Sequence, residues 1–195
     1  ASVLPPSWCS KTRAVNLPRH GELTLINLND PQVWWFATRA SAILAWVLLT
    51  VSLVLGVLLR TRIMRGADDP DWLKSIHRFS SSLAVIMVVI HLVTLYLDEY
   101  IEFEIGDLLI PFQTDYKTDG VAVGIFAVYL LVAVVLSSWM MNSLPQPLWK
   151  FIHFGSYGIL FLTAVHAGMV GYDTNQTWYQ IVAVTLIVLG VSAAL

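Results

Sequence analysis

The sequence predicts an all-α fold, a polytopic membrane helix bundle with five transmembrane helices and an N-terminal extracytoplasmic arm. Of the 195 residues, 57% are hydrophobic and only 12% are charged, about half the charged fraction of an ordinary soluble domain. The apolar residues gather in five runs, at about 33–59, 72–98, 120–141, 146–171 and 177–195. Each run reaches or approaches the ~20 residues that a helix needs to cross a bilayer, and the lack of water in lipid forces such segments to be helical.

The segment before the first apolar run is polar. Residues 1–32 contain four prolines, and we interpret them as an extracytoplasmic arm with a short strand at Leu23–Leu28. Cys9 is the single cysteine, so neither an intrachain disulfide nor a cysteine-based metal site is expected. The formal net charge is only -2 and no basic patch is present, which argues against nucleic acid as a partner.

The charges of the connections predict the orientation of the bundle. Basic residues flank the first and third connections: Arg60, Arg62, Arg65, Lys74 and Arg78 at the first, and Lys150 at the third. The second connection contains one basic residue, Lys117, and seven acidic residues: Asp98, Glu99, Glu102, Glu104, Asp107, Asp115 and Asp119. Because basic loops stay in the cytoplasm, we expect the N-terminus outside and the second and fourth helices parallel, running from inside to outside. Residues 99–119 predict an interfacial helix or a cap, with a solvated acidic surface or, alternatively, an attraction for ferric ions or a basic partner.

Two pairs of histidines lie inside the apolar runs and mark the predicted site. His77 and His91 are 14 residues apart in the second run, and His153 and His166 are 13 residues apart in the fourth. On parallel helices these spacings, ~21 Å and ~19.5 Å, place one histidine of each helix at each of two depths. A metalloporphyrin held edge-on needs one imidazole from each side. The pattern therefore predicts two stacked haems, an inner one on the first histidine of each run and an outer one on the second, both suited to electron transfer.

Other interpretations of four membrane histidines are weaker. Zinc prefers tetrahedral ligands gathered at one level, which two separated pairs do not offer. A proton relay is an open alternative, although no Asp or Glu accompanies the histidines inside the runs. Histidines that serve only as hydrogen-bonding core residues are the plainest alternative. His20 lies in the arm and is expected to be a surface residue.

The 13-residue spacing raises a geometric difficulty. At ~100° per residue, 14 residues bring the second histidine to within ~40° of the first, whereas 13 residues leave it ~140° away on a straight helix. We therefore expect a kink or π-bulge near Gly155 and Gly158, or ligands that reach out from the flanks of a tilted helix. These glycines, together with Gly168 and Ser80–Ser82, leave room for a flat macrocycle or, alternatively, allow close helix packing.

Basic side chains near the two levels are candidates for binding haem propionates. Arg39 lies in the first helix at the depth of the outer histidine pair. A buried Arg needs an anion, and no acidic side chain is expected inside the bundle, so charge-assisted bonds to propionates are predicted. The alternative is that Arg39 snorkels to the outer interface. At the inner level Arg78, Lys150 and Lys74 are candidates, with ordinary positive-inside residues as the alternative.

Three stretches carry a resemblance to a known family: ATRASAILAWVLLTVSLVLGVLL in the first helix, IHRFSSSLAVIMVVIHL in the second and WKFIHFGSYGILFLTAVHAGMVGYDT in the fourth. With the histidine spacings, they resemble the ferric reductase-like transmembrane domain family, which includes membrane ferric reductases and the haem-bearing half of NADPH oxidases. The resemblance covers residues 33–195 as a di-haem transmembrane domain, and the local sequence is most similar to bacterial members, specifically actinobacterial ones.

The resemblance implies a cofactor set and a direction. It implies two haem b groups, one bound by His77 and His153 and the other by His91 and His166, with electrons crossing from a cytoplasmic donor to an outer acceptor. Many relatives continue into a domain that binds FAD and NAD(P)H. This sequence contains no G-x-G-x-x-G motif, so we expect those cofactors only through a missing domain or a partner. Some relatives also have a sixth helix.

The predicted function is that of a di-haem b-type cytochrome of the bacterial cytoplasmic membrane. It is an oxidoreductase component that relays single electrons and performs no bond chemistry itself. Expected partners are membrane lipid, a flavoprotein or quinol donor, and an extracytoplasmic redox protein or ferric acceptor. The first alternative is a haem-bearing, quinol-linked membrane anchor for a periplasmic reductase. The second is a haem-free transporter or assembly subunit whose histidines serve protons or packing.

Overall fold

The computed structural model describes residues 31–61, 70–98 and 100–194. These residues form six helices: α1 (Pro31–Thr61), α2 (Pro70–Leu97), α3 (Ile105–Leu109), α4 (Thr118–Trp139), α5 (Gln146–Val170) and α6 (Thr177–Ala194). The predicted arm, apart from its last two residues, and the predicted strand at Leu23–Leu28 lie outside the described residues.

Four of the helices are long and apolar enough to cross a membrane. The apolar spans of α1, α2, α4 and α5 are 30, 27, 22 and 25 residues long, and the shorter α6 is apolar over Thr177–Ala193. The part of the chain that the structure describes contains no β-strand. The chain is therefore a multi-pass, all-α membrane protein, and the fold class predicted from its composition is confirmed.

The connections lie at two ends of the bundle, which we name by their charge. The basic end holds the end of α1, the start of α2 and the α4–α5 connection, with Arg60, Lys74 and Lys150. The acidic end holds the α2–α4 connection, which contains the predicted short helix α3, and the α5–α6 connection. Since the successive long helices α1, α2, α4 and α5 pack antiparallel, α2 and α5 run parallel from the basic to the acidic end.

The long helices associate as two pairs with a gap between them. α1 packs along α2, α4 packs along α5, and α6 packs against α1 and α5. Ser80 and Ala84 of α2 are small and buried, which allows α2 to approach α1 closely. Among the described residues, no Cα atom of α2 lies within 8 Å of a Cα atom of α5. The two helices that carry the histidines therefore face each other across a gap.

An apolar layer fills this gap at the middle of the bundle. Leu131 and Val134 of α4 and Ile159 of α5 are buried in it. Side chains from α1 and α2 pack against these three from the other side of the gap: Leu49, Val85 and Val88. The layer divides the gap into a basic-end half and an acidic-end half, and each half contains one histidine pair.

Candidate functional site

His77 of α2 and His153 of α5 face each other near the basic end. Their ring centroids are 6.3 Å apart, and the ring planes lie at 62° to each other. A metal–imidazole bond of ~2.0 Å, with ~1.1 Å more to the ring centre, places two ligands on opposite sides of one metal ~6 Å apart. The spacing of the two rings therefore fits two axial ligands of one metal ion.

His91 of α2 and His166 of α5 line one cavity near the acidic end. The cavity has a volume of about 250 Å³ and a mostly apolar wall. It extends from Tyr172 and Asp173 in the α5–α6 connection down to Ile159 in the apolar layer. The structure thus brings together both pairs that the spacing suggested, at two separate levels of the bundle.

Three of the four histidines form a hydrogen bond between Nδ1 and a backbone carbonyl of the neighbouring helix: His77 with Ser52 (2.9 Å), His91 with Thr38 (3.0 Å) and His166 with Gly120 (2.7 Å). A carbonyl oxygen only accepts hydrogen bonds, so Nδ1 carries the proton and donates it. The Nε2 atom keeps its lone pair and becomes the free ligand atom of each ring. The bond also fixes the ring orientation and raises the basicity of the ligand.

The fourth histidine is held in another way. The Nδ1 atom of His153 lies 3.4 Å from the hydroxyl of Ser138, which already donates to the carbonyl of Val134 at 2.7 Å. The His153 ring stacks on Trp149, with centroids 5.1 Å apart and planes at 26°. Aromatic stacking, more than a short hydrogen bond, therefore orients this ring.

The geometric difficulty of the 13-residue spacing is solved without a π-bulge. α5 is α-helical throughout Gln146–Val170, so the π-bulge, one of the arrangements that the spacing allowed, is absent from this helix. His153 and His166 nonetheless both contact α4, the first at Ser138 and the second at Gly120. The two rings therefore reach the same neighbour from different flanks of one α-helix, which is the second arrangement that the spacing allowed.

A glycine of the neighbouring helix makes room for the His166 ring. A Cβ atom added at Gly124 of α4 would lie 2.6 Å from both Cε1 and Nδ1 of His166, whereas one added at Gly56 of α1 would lie 3.4 Å from Cε1 of His77, an ordinary contact. The sequence alone did not single out either glycine, because their role depends on which helix a histidine packs against. The sequence signal that could have identified them is a glycine at the position that lies opposite a histidine when two successive helices pack antiparallel.

The glycines that were singled out from the sequence have a different environment. A Cβ atom at Gly155 or Gly158 would meet the side chain of Leu130, at 2.9 Å and 3.0 Å, whereas one at Gly168 would meet nothing within 4 Å. The first two therefore serve close packing of α5 on α4, and the structure does not place them in a cradle for a macrocycle.

The serines beside His77 also belong to a helix contact. Ser80 and Ser81 donate to the carbonyl of His77, at 3.1 Å and 2.5 Å. The hydroxyl of Ser81 lies 2.8 Å from that of Ser52 on α1, while Ser82 is exposed. The first two bonds lie within α2, and the bond between Ser81 and Ser52 joins α2 to α1, which favours the packing interpretation for Ser81.

Arg39 has an acidic partner, contrary to expectation. Its Nε donates to Oδ2 of Asp173 at 2.8 Å, and a second guanidinium nitrogen pairs with the same oxygen. The guanidinium also lies over the rings of Trp35 (4.1 Å) and Tyr172 (5.8 Å). Asp173 is only 4% exposed. The expectation that no carboxylate would reach Arg39 was wrong because the α5–α6 connection folds back over the acidic-end cavity, which both residues line.

Replacing Asp173 with Asn is expected to destabilise the protein by roughly 2–4 kcal/mol, because it leaves the charge of Arg39 largely buried without its partner. Thermal unfolding of the detergent-solubilised protein, followed by circular dichroism, measures the change. The matched control is the double replacement Arg39→Met with Asp173→Leu, which removes both charges and should recover most of the loss. A single variant as stable as the parent would show that the pair does not hold the connection in place.

The basic side chains of the other end are more exposed. Lys74, Arg78 and Lys150 are all exposed at the basic end. Arg60, which the sequence suggested only as an orientation signal, places its guanidinium 4.8 Å from the ring centre of Phe154, the residue after His153. Arg60 is therefore one further cation at the basic end, and its contact is with Phe154.

Three buried donors beside the histidines have no hydrogen-bond partner among the described residues: Thr38 Oγ1, Trp46 Nε1 and Trp149 Nε1. Thr38 and Trp46 line the acidic-end cavity, and Trp149 stacks on His153. Such groups are rare in folded proteins, and each costs ~1–3 kcal/mol when left unsatisfied. Their gathering at the two histidine pairs fits a bound group that brings hydrogen-bond acceptors.

Each histidine pair offers a metal ion two protein ligands. No group of three or more His, Cys, Asp or Glu side chains in the described ranges could hold a metal ion. Two imidazoles from two helices instead suit a metal that brings further ligands of its own. That is the ligand set of a bis-histidine haem.

A family of known proteins matches most of the membrane-spanning part of the chain. The family model described as "Ferric reductase like transmembrane component" matches residues 41–164. This range runs from α1 into α5 and includes His77, His91 and His153, while His166 follows just after its end. No curated protein and no solved structure matches the chain.

Proposed function

Since the chain belongs to the ferric reductase-like transmembrane component family, we propose that it binds two b-type haems and carries single electrons through them across the membrane. Members of this family generally bind haem, and the family description points to transmembrane electron transfer. The observation that carries the proposal is the Nδ1 pattern. Three membrane histidines donate Nδ1–H to backbone carbonyls, and each is thereby left with a free Nε2 atom.

The ligands of the two haems follow from the two pairs. We assign His77 and His153 to the haem at the basic end, and His91 and His166 to the haem at the acidic end. The 6.3 Å between the first two rings and the shared cavity of the second two support this assignment. The two imidazoles of each pair would hold one haem, and the bound haem would supply a one-electron iron couple suited to electron transfer.

The remaining residues of the site position these ligands and exclude water. Backbone carbonyls of α1 and α4 fix the tautomer of three rings, and Trp149 orients the fourth by stacking. The apolar layer of Leu131, Val134 and Ile159 separates the two levels and offers no acid or base to a proton. Protons therefore find no relay among these three side chains.

The charge of the two ends supports an orientation and a direction. The cations of the basic end support a cytoplasmic location for that end, with the acidic end and the N-terminus facing outward across a bacterial cytoplasmic membrane. Electrons enter at the basic end, from a flavoprotein or a membrane quinol. They leave at the acidic end, to an extracytoplasmic redox protein or a ferric acceptor.

Three cations are proposed to bind the haem carboxylates. Arg39 keeps N–H groups beyond those that contact Asp173, because a guanidinium has five donors, and it lines the cavity of His91 and His166. Arg78 and Lys150 serve the basic-end haem, where their exposure at the membrane surface suits groups that remain partly hydrated.

A reduced-minus-oxidised spectrum of the purified protein, with haem counted per chain, tests the proposal. We expect a b-type band and two haems per chain, because each pair has two imidazoles suited to one iron. Absence of haem from protein purified from haem-sufficient cells would favour the haem-free transporter. Reduction of the haems by a quinol, but not by NAD(P)H with a flavoprotein, would identify the quinol-linked anchor.

A further inference from the structure

Tyr129 carries a polar hydroxyl group in the middle of the apolar, membrane-spanning helix α4. α4 has 22 residues, Thr118–Trp139, and its length of ~33 Å is barely more than the ~30 Å thickness of the hydrocarbon core. The whole helix is therefore needed to cross the membrane, and Tyr129 lies at its midpoint. The side chain is 48% exposed, on the flank of α4 that faces lipid. A hydroxyl at that depth needs a partner within the protein.

The partner of Tyr129 comes from the acidic connection. The hydroxyl donates to the backbone carbonyl of Leu109, the last residue of the short helix α3. A second contact lies one turn closer to the acidic end, where the rings of Phe112 and Phe126 pack with centroids 6.1 Å apart. Both contacts are on the lipid-facing flank of α4, because Phe126 is also exposed (43%).

The position of Tyr129 fixes how deep this connection reaches. Its Cα lies ~16 Å below the first residue of α4, and its side chain leans back toward the N-terminus of the helix. The carbonyl of Leu109 therefore lies on the order of 10 Å below the acidic end of α4. A loop that merely covered the outer surface would not reach this depth.

We propose that residues 105–112, the α3 wedge, form a re-entrant segment inserted among the acyl chains of the leaflet at the acidic end. Four apolar side chains of the wedge are exposed: Ile105 (61%), Leu109 (48%), Ile110 (53%) and Phe112 (61%). Non-helical backbone within a membrane must be satisfied by the protein. Here the N–H of Ile110 donates to Gly106 at 2.8 Å, and Tyr129 satisfies the carbonyl of Leu109.

The acidic residues at the start of the wedge set the limit of its insertion. The carboxylate of Asp107 accepts a bond from the N–H of Glu104 at 3.0 Å. Asp107 also lines a polar pocket together with Glu102 and Asp115. This side of α3 therefore stays at the headgroup level, and the wedge inserts with Leu109, Ile110 and Phe112 leading.

The opposite side of the wedge faces the acidic-end cavity. Leu108 packs against the buried cluster of Phe103, Val121 and Ile125 and lines the cavity that holds His91. A single turn of helix thus separates that cavity from lipid. The lipid contact of the wedge is a property of the apolar side chains and Tyr129, so it stands independently of the proposed electron transfer.

Site-directed spin labelling in lipid vesicles tests the insertion. Cys9→Ser gives a cysteine-free background, since Cys9 is the only cysteine. A nitroxide is then attached at Ile110→Cys and, as references, at Val132→Cys on the lipid-facing flank of α4 and at Asp115→Cys on the polar pocket. Each variant is reconstituted in phosphatidylcholine–phosphatidylglycerol vesicles, and its accessibility to oxygen and to a water-soluble nickel chelate is measured.

We expect the label at position 110 to behave as the label at position 132, with high accessibility to oxygen and several-fold lower accessibility to nickel than at position 115. Accessibility to nickel equal to that at position 115 would overturn the proposal. Adding Tyr129→Phe should raise the accessibility to nickel at position 110 and leave position 132 unchanged. No change at position 110 would show that Tyr129 does not anchor the wedge.

Discussion

His166→Ala is expected to remove one haem and leave the other in place, so that haem per chain falls from two to one. The reason is that His166 serves the acidic-end level alone. Its Nδ1 bonds Gly120, its ring lines the cavity shared with His91, and the apolar layer separates this cavity from the basic-end pair. Pyridine haemochrome quantitation against protein concentration measures the loss, and redox titration shows which of two midpoint potentials disappears.

Two controls make this result decisive. His77→Ala should remove the haem at the basic end and leave the potential that His166→Ala removes. His20→Ala, at the one histidine outside the apolar runs, should keep both haems. Loss of both haems in each membrane variant, or of neither, would contradict the assignment of the ligands to two separate pairs.

Gly124→Ala is expected to weaken the acidic-end haem without touching a ligand. An added Cβ would lie 2.6 Å from two atoms of the His166 ring, and the ring would have to move off the carbonyl of Gly120. Overpacking of this kind costs ~1–3 kcal/mol, so we expect the affinity of that level for haem to fall by about 5-fold to 150-fold. Haem titration of the apoprotein measures the affinity, and electron paramagnetic resonance of the oxidised protein reports the axial ligation.

Gly168→Ala is the matched control on the same helix as His166. A Cβ at this position meets nothing within 4 Å, so two full haems with unchanged resonance lines are expected. An equal loss in both variants would assign the effect to altered helix propensity or membrane insertion. Full haem binding by Gly124→Ala would show that the contact between this glycine and the His166 ring does not position the ligand.

The helices and the histidine pairs were predictable because the bilayer acts as a uniform solvent along the chain. A span of a given thickness requires a given number of apolar residues, and unpaired backbone groups are excluded from lipid. The five apolar runs therefore became helices close to their predicted bounds. The spacings of His77 to His91 and of His153 to His166 translate into depth by helix rise alone, so the pairing at two levels also followed from the sequence.

The sequence did not determine the contacts between helices, because these contacts depend on which helices are neighbours and in what register they pack. The ion pair of Arg39 with Asp173, the contact of Gly124 with His166 and the reach of Leu109 to Tyr129 each join positions that are distant along the chain. No local pattern encodes these contacts, because they arise from helix crossing angles and side-chain packing between separate elements. By itself the sequence determined the spans and the depth of the histidines. The tertiary structure decided how those histidines are held. Hydropathy indicates which segments lie in lipid, but it does not indicate which helix each histidine contacts.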